Sequence, residues 1–154
     1  MELPPFFHFG AVWRYKCDGW WRLKTEDAPD AQLEPIQLKN LGLGSYKVCC
    51  LPFLIHGLHL GDVIDQYDDQ TFEVTKRSYY YTFQVFSKDP EFVQRVIQMA
   101  LDRGGMYEQY SPGLAAVCVK GRLVAQVLWN EYLSIQVPGV SEVGFLPNDP
   151  KWGA

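Results

Sequence analysis

The sequence lacks the short motifs that mark several common chemistries. Its four cysteines form no C-x-x-C pair, and no Gly-Lys-Ser or Gly-Lys-Thr phosphate loop is present. Gly42 and Gly44 have neither the further glycine nor the following helix of a dinucleotide loop. The sequence therefore gives no support to nucleotide binding, and we expect no bound cofactor.

Long apolar runs are also missing. No apolar stretch approaches the about 20 residues that cross a bilayer as a helix. The first residues, Met1 to Pro5, lack the charged region and the apolar region of a secretory signal. These absences predict a cytoplasmic protein that has no membrane partner.

A strong positive charge is absent as well. The 14 basic and 18 acidic residues give a net charge of −4, and the two signs are interspersed. This balance disfavours a nucleic-acid partner, because proteins bind nucleic acids largely by neutralising phosphates. The alternative is a local patch in which Tyr79, Tyr80 and Tyr81 stack on bases while Lys76 and Arg77 contact phosphates. An acidic protein more naturally binds a basic partner.

What the sequence does contain is enough apolar material for one packed core. Its 154 residues are 47% hydrophobic and 15% aromatic, which argues against a disordered chain and allows one domain or two small ones that share an interface. Of these we predict a single domain over residues 1–154. We expect Cys17, Cys49, Cys50 and Cys118 to be reduced thiols. Cys118 and one of the adjacent pair should be buried as small apolar side chains.

The chain begins with an aromatic, β-prone region. Two stretches, Phe6 to Tyr15 and Trp20 to Thr25, flank an Asp-Gly turn and predict a β-hairpin. Neighbouring side chains on a strand point to opposite faces, so one of Trp20 and Trp21 should be exposed.

The remainder of the first half, up to residue 78, predicts a surface loop followed by short strands. The acidic, proline-containing stretch from Glu26 to Pro35 predicts the loop, with contact to a basic partner as the alternative. The predicted strands are Ile36 to Leu38, Tyr46 to Leu51, Val63 to Tyr67 and Thr71 to Arg77. With the hairpin they should form a β meander or a small open barrel.

The second half, residues 79–146, predicts the element order β-α-β-β-α-β. Asp89-Pro90 supplies a helix start, and apolar residues then recur at helical spacing up to Gly104. The predicted elements are a strand over Tyr79 to Phe86, a helix from Pro90, strands over Met106 to Tyr110 and Leu114 to Val119, a helix over Arg122 to Leu133, and a strand over Val140 to Phe145. This order is that of a ferredoxin-like unit, so the predicted fold class is α+β.

A resemblance to a known family supports this order. The stretch from Leu51 to Asp65 contains Pro52-Phe53, then Gly57, then Gly61-Asp62-Val63. In this pattern the chain resembles a bacterial family known as domain of unknown function 4265, over about residues 46–146. The resemblance implies a short β segment before a β-α-β-β-α-β unit. It implies no activity and no catalytic residue.

The same stretch holds the candidate ligands for a metal ion. His56, His59 and Asp62 supply side chains that zinc or iron accepts. Gly57 and Gly61 interrupt the helix that would place them on one face, so the competing interpretation is a turn in which Asp62 caps backbone amides. We expect no metal site.

Nucleophilic catalysis has no diagnostic pattern either. The available pairs are Cys49 or Cys50 with His56 or His59, and Cys118 with the distant His8, and none has a local signature. Cys118 lies between two valines of a predicted core strand, which favours an inert thiol.

We therefore expect a non-catalytic protein that binds another protein. Exposed aromatic side chains among acids are typical of interface hot spots and of charge steering. The candidate partner-binding residues are Trp20, Trp21, Asp65, Tyr67, Asp68 and Asp69. The most concrete version is a bacterial immunity protein that neutralises a secreted toxin domain. The alternative is a small-ligand or metal-dependent enzyme that uses His56, His59 and Asp62.

Overall fold

The computed structural model describes residues 5–24, 33–67 and 70–144. Over these residues the protein has an α+β architecture with two antiparallel sheets and two helices. Three clusters of buried side chains hold it together: one under the helices, one inside the first sheet and one between the two sheets.

The first sheet is a five-stranded meander in chain order. Its strands are β1 (Gly19–Lys24), β2 (Leu33–Gly42), β3 (Ser45–Val48), β4 (Val63–Gln66) and β5 (Phe72–Lys76). The two edges approach each other at one end, because the amide of Lys24 in β1 donates to the carbonyl of Gln70, just before β5, at 3.0 Å. The sheet is thus strongly curled, as a meander or small open barrel requires.

The predicted N-terminal hairpin is wrong. Phe6 to Tyr15 is not a strand, and β1 pairs instead with β2, with Trp21 opposite Ile36. The reason lies in the backbone partners of the preceding segment: the amide of Val12 donates to the side chain of Glu108, and that of Trp13 donates to the carbonyl of Cys49. Arg14–Lys16 forms a single 3-10 turn.

The predicted acidic loop also needs correction at its end. Leu33, Glu34 and Pro35 belong to β2, and Glu34 is fully buried. The part of this loop at positions 25–32 lies outside the described residues. A sequence pattern of acids and prolines therefore concealed the start of β2, the longest of the described strands.

The second sheet contains the other four described strands. These are β6 (Tyr80–Ser87), β7 (Met106–Ser111), β8 (Leu114–Lys120) and β9 (Ser141–Gly144), in the spatial order β7-β8-β6-β9. Helix α1 (Pro90–Leu101) follows β6, and α2 (Arg122–Ile135) follows β8. As predicted, Asp89 caps α1, its carboxylate accepting from the amide of Glu91 at 3.0 Å. The element order β-α-β-β-α-β is therefore present.

The two faces of the second sheet pack against different parts of the protein. One face packs against both helices through Phe83, Val85 and their neighbours. The other face packs against the segment of residues 51–61, where the side-chain amide of Gln84 donates to the carbonyls of Pro52 and Ile55 at 3.2 and 2.8 Å. The segment with the Pro-Phe and Gly-Asp-Val pattern thus lies between the two sheets. Among the described helices, none is long and apolar enough to cross a membrane.

Candidate functional site

The most unusual polar cluster in the protein is a buried junction formed by His8, Glu34 and Glu108. The imidazole of His8 lies between the two carboxylates, with Nε2 2.6 Å from Glu34 and Nδ1 2.7 Å from Glu108. Glu34 belongs to the first sheet and Glu108 to the second. All three side chains are essentially without solvent contact, so the junction joins the two sheets through charge.

Backbone amides stabilise both buried carboxylates. Glu34 accepts from the amides of Phe53, Leu54 and Ile55 at 2.7, 2.8 and 3.2 Å. Glu108 accepts from the amide of Leu51 at 2.6 Å. Buried charges are tolerated where they are paired and fully hydrogen-bonded, and this arrangement meets that condition.

Cys50 lies beside the junction, and His8 and the Cys50 thiol affect each other's pKa. Burial lowers the pKa of His8, but its interactions with Cys50 and its hydrogen bonds to Cys50 and both glutamates outweigh burial, so the pKa lies well above 6.5. Burial raises the pKa of the Cys50 thiol to about 11, against the opposing effect of His8. A thiol with such a pKa, fully buried, is a poor nucleophile at neutral pH.

The four cysteines form no disulfide bond, as predicted. Cys49, Cys50 and Cys118 are all buried, so both members of the adjacent pair are in the core rather than one. The histidine beside Cys50 is His8. Burial also raises the pKa of Cys49, to about 12. The sequence missed the pairing of His8 with Cys50 because 42 positions separate them and no local pattern links them.

His59 and Asp62 hold a turn together. Asp62 accepts from the amides of His59 and Ser78 at 2.9 and 2.8 Å and from the guanidinium of Arg77 at 3.2 Å. Nδ1 of His59 accepts from the amide of Thr82 at 2.8 Å. This is the arrangement of the amide-capping interpretation, since Asp62 fixes the turn to the residues just before β6 and His59 fixes it to β6 itself.

His56 does not join these two residues. Its side chain is exposed and lines a separate cavity of about 640 Å³, together with Gln84, Trp129 and Gly144. Within residues 5–24, 33–67 and 70–144, no three His, Cys, Asp or Glu side chains are arranged to hold a metal ion.

The tyrosines considered for nucleic-acid binding do not share one surface. Tyr79 is 78% exposed, whereas Tyr81 is buried under the helices and Tyr80 packs between the sheets. The sheet face on which bases would stack is the one covered by residues 51–61.

The structure resolves which tryptophan faces outward. Trp20 is 36% exposed, and its ring lies 5.5 Å from that of Phe7. Trp21 points the other way and packs on the core of the first sheet, with its ring 4.8 Å from Tyr46. Of this candidate pair, Trp20 therefore lies on the outer face of the first sheet, meaning the side opposite buried Ile36, Leu38 and Ile64.

Asp65 and Tyr67 lie near the opposite edge of that sheet. Asp65 on β4 lies directly opposite Glu73 on β5. It accepts a hydrogen bond from the hydroxyl of Ser45 at 2.6 Å. Tyr67 is 68% exposed, and its hydroxyl donates to Glu73. We call Asp65, Tyr67 and Glu73 the acidic corner. The other two candidates, Asp68 and Asp69, lie outside the described residues.

Comparisons with known proteins concern the fold. A family model described as "Domain of unknown function (DUF4265)" matches residues 34–138. The chain is also similar to the crystal structure of a hypothetical protein from Neisseria gonorrhoeae, with a TM-score of 0.65 and 14% identity over 82% of this chain and 92% of that one. No curated protein matches the sequence. At this identity the structural likeness bears on the architecture alone.

Proposed function

Since the chain belongs to the DUF4265 family, whose description assigns no activity, we propose its function from its surface: stoichiometric binding of another protein through the outer face of the first sheet. The most concrete version is a bacterial immunity protein that acts in the cytoplasm and neutralises a secreted toxin domain.

The observation that carries this proposal is the acidic corner. Tyr67 is 68% exposed, yet the bond from its hydroxyl to Glu73 fixes its orientation. Asp65 lies directly across the strand pair from Glu73. A rigid aromatic side chain beside two carboxylates is suited to anchor a basic protein surface, because tyrosine adds contact area at low entropic cost and the acids steer the approach.

The mechanism would be steric and electrostatic. The acids at the corner attract a basic cleft on the partner, and the body of the domain then blocks access to that cleft. Trp20 lies on the same outer face, on the first strand of the sheet, and offers a second aromatic contact. Neighbouring strands are about 4.8 Å apart, so the three strand steps from β1 to β4 span about 14 Å. One interface of standard size covers that distance.

The second sheet is proposed to be ferredoxin-like. The antiparallel order β7-β8-β6-β9 places the first and third strands of the unit side by side at the centre, which is the arrangement of that fold. In this protein both faces of the sheet are covered at the centre. On the first sheet, the outer face at β4 and β5 stays open to a partner, since Tyr67 at the end of β4 is 68% exposed.

A small-ligand enzyme is the second candidate. One observation favours it, namely that His56 lines a cavity of about 640 Å³, a size typical of small-molecule sites. The other two residues of this candidate site, His59 and Asp62, support it less, because their side chains are hydrogen-bonded to backbone groups. A compound that raised the Tm of the wild-type protein but not of His56→Ala would favour this candidate.

The binding proposal is tested by capturing partners from the native host and titrating each purified candidate against the protein. We expect a one-to-one complex. The double charge reversal D65K/E73K should weaken it at least tenfold, and Tyr67→Ala by a similar factor. The matched control is E91K/E142K, two exposed acids on α1 and β9. Equal affinities for the two double variants would contradict a role for the acidic corner.

A further inference from the structure

A slot with an aromatic and basic rim opens on the N-terminal side of the first sheet. Its volume is about 480 Å³. The side chains at its rim come mainly from the segment before β1, which lies outside the region matched by the family model. The residues that line it are Phe7, His8, Phe9, Arg14, Cys17, Asp18, Gly19 and Gln37. We call this feature the aromatic slot.

The aromatic side of the slot is preorganised by ring contacts. The ring of Phe7 lies 5.2 Å from that of Phe9 and 5.5 Å from that of Trp20, in both cases edge to face. Phe9 nevertheless remains 66% exposed. Large exposed rings held by neighbouring rings are typical of protein-binding surfaces.

The floor of the slot is fixed by polar contacts. The thiol of Cys17 donates to the side-chain oxygen of Gln37 at 2.7 Å, and the carboxylate of Asp18 accepts from the amide of Asn40 at 2.8 Å. These contacts fix the segment before β1 to the outer face of β2. The slot is therefore a formed concave site.

The segment that supplies most of the slot's lining has a positive net charge, unlike the whole chain. Between positions 5 and 24 there are four basic residues and one acid, whereas the chain has a net charge of −4. Arg14 is exposed, and its guanidinium has no hydrogen-bond partner among the described residues. The guanidinium of Arg22 lies 5.8 Å from the ring of Trp20. Asp18 is the opposing charge, and it is already bonded to Asn40.

We propose that the aromatic slot binds an acidic peptide segment of a protein partner. An aromatic or large aliphatic side chain of the segment enters the slot against Phe7 and Phe9, and its neighbouring carboxylates pair with Arg14 and Arg22. Guanidinium groups suit carboxylates because they donate two parallel hydrogen bonds. The occupant follows from charge complementarity between a basic rim and an acidic ligand.

A peptide fits this surface better than a nucleic acid does. Arg14 lines the slot, and Arg22 lies beside Trp20, whose ring contacts Phe7. These two guanidinium groups match a few carboxylates beside an anchor, while nucleic-acid binders neutralise a run of phosphates. The net charge of −4 repels a long polyanion more strongly than a short peptide with a few carboxylates. The proposal goes beyond the acidic corner, since the charged side chains of the two sites differ and have opposite sign, although Trp20 lies beside the slot and on the outer face used by the corner's partner.

The test is fluorescence anisotropy with three labelled pentapeptides at low salt. The probe is Glu-Glu-Phe-Glu-Glu, and its matched controls are Glu-Glu-Gly-Glu-Glu, without the anchor, and Lys-Lys-Phe-Lys-Lys, with reversed charge. We expect the probe to bind at least tenfold more tightly than either control. The variant R14E/R22E should lose at least tenfold in affinity for the probe, while K88E/R95E, two exposed basic residues beside and on α1, should not.

Several results would overturn the proposal. One is equal binding of the three peptides, and another is an affinity for the probe that R14E/R22E leaves unchanged. A single-stranded dodecathymidine that binds more tightly than the probe and is weakened by R14E/R22E would assign the slot to nucleic acid instead. D65K/E73K should change binding of the probe less than twofold. The slot and the acidic corner can therefore fail independently.

Discussion

Nδ1 of His8 and a carboxylate oxygen of Glu108 lie 2.7 Å apart in the core, although the residues are 100 positions apart in the chain. The other ring nitrogen contacts Glu34, so one imidazole joins the N-terminal segment to both sheets. The ring also stacks on Phe53, with the centroids 4.2 Å apart. This junction places the segment that carries the aromatic slot.

The first prediction concerns the free energy of unfolding of His8→Ala. Removing the imidazole leaves two buried carboxylates without their cation, and breaking such a pair costs about 3–5 kcal/mol. Urea denaturation at pH 7 should show a loss of this size. His56→Ala is the control, since this histidine is exposed and should change stability by less than about 0.5 kcal/mol. Equal effects of the two substitutions would contradict the role of the junction.

The second prediction is a fall in stability at alkaline pH. The pKa of His8 is raised in the folded protein, so its contribution is complete below pH 6.5 and is lost as the pH rises through the folded value. Cys50 acts in the same direction above pH 9.0, its ordinary pKa, because its folded pKa is about 11. Denaturation curves from pH 6 to 9 isolate the histidine. The slope should be present in the wild type and absent in His8→Gln, and its persistence in that variant would assign it to other groups.

Local signals in the sequence predicted the second half of the chain. Asp89-Pro90 and the helical spacing after it define α1 within a few residues, because capping and amphipathic periodicity are local properties. The strand pair β7 and β8 follows equally from a short turn at Pro112-Gly113. The family resemblance was confirmed over residues 34–138.

Long-range contacts set what the sequence did not predict. Phe6 to Tyr15 has strand composition, but its backbone amides bond to Glu108 and Cys49 instead of to a neighbouring strand. The sequence predicted a loop at Glu34, because no local pattern shows that a histidine 26 positions away neutralises its carboxylate. The buried junction and the aromatic slot both depend on how this segment packs, and no local sequence pattern predicts that packing.

The third prediction concerns Asp62. In Asp62→Ala the amides of His59 and Ser78 lose their acceptor, and each unsatisfied buried group costs about 1–3 kcal/mol. Thermal and urea denaturation should show a loss of at least about 2 kcal/mol, whereas Glu142→Ala on exposed β9 should be neutral. Added zinc should leave the Tm of the wild type unchanged. A zinc-dependent rise that Asp62→Ala abolished would support the metal-dependent alternative.

The fourth prediction tests the close approach of α1 to β8. A Cβ on Gly105 would lie 2.4 Å from the carbonyl oxygen of Cys118 and 2.7 Å from that of Ala100. Because both are backbone atoms, Gly105→Ala should cost about 1–3 kcal/mol or more in stability. Gly10→Ala is the matched control, since its Cβ would meet no atom within 4 Å. If both variants had wild-type Tm values, the turn after α1 would be looser than the structure indicates.

The last prediction separates the two adjacent tryptophans. Trp21 packs on the core of the first sheet beside Tyr46, so Trp21→Ala should destabilise the protein by about 2–4 kcal/mol. Trp20 supports Phe7 and the rim of the aromatic slot, so Trp20→Ala should cost about 1 kcal/mol in stability but weaken binding of the acidic peptide at least fivefold. Urea denaturation and peptide titration on both variants give the comparison. The two residues are adjacent in the chain, so each variant is a control for the other. If both variants lost peptide affinity in proportion to their loss of stability, the weaker binding would result from unfolding and not from the missing Trp20 ring.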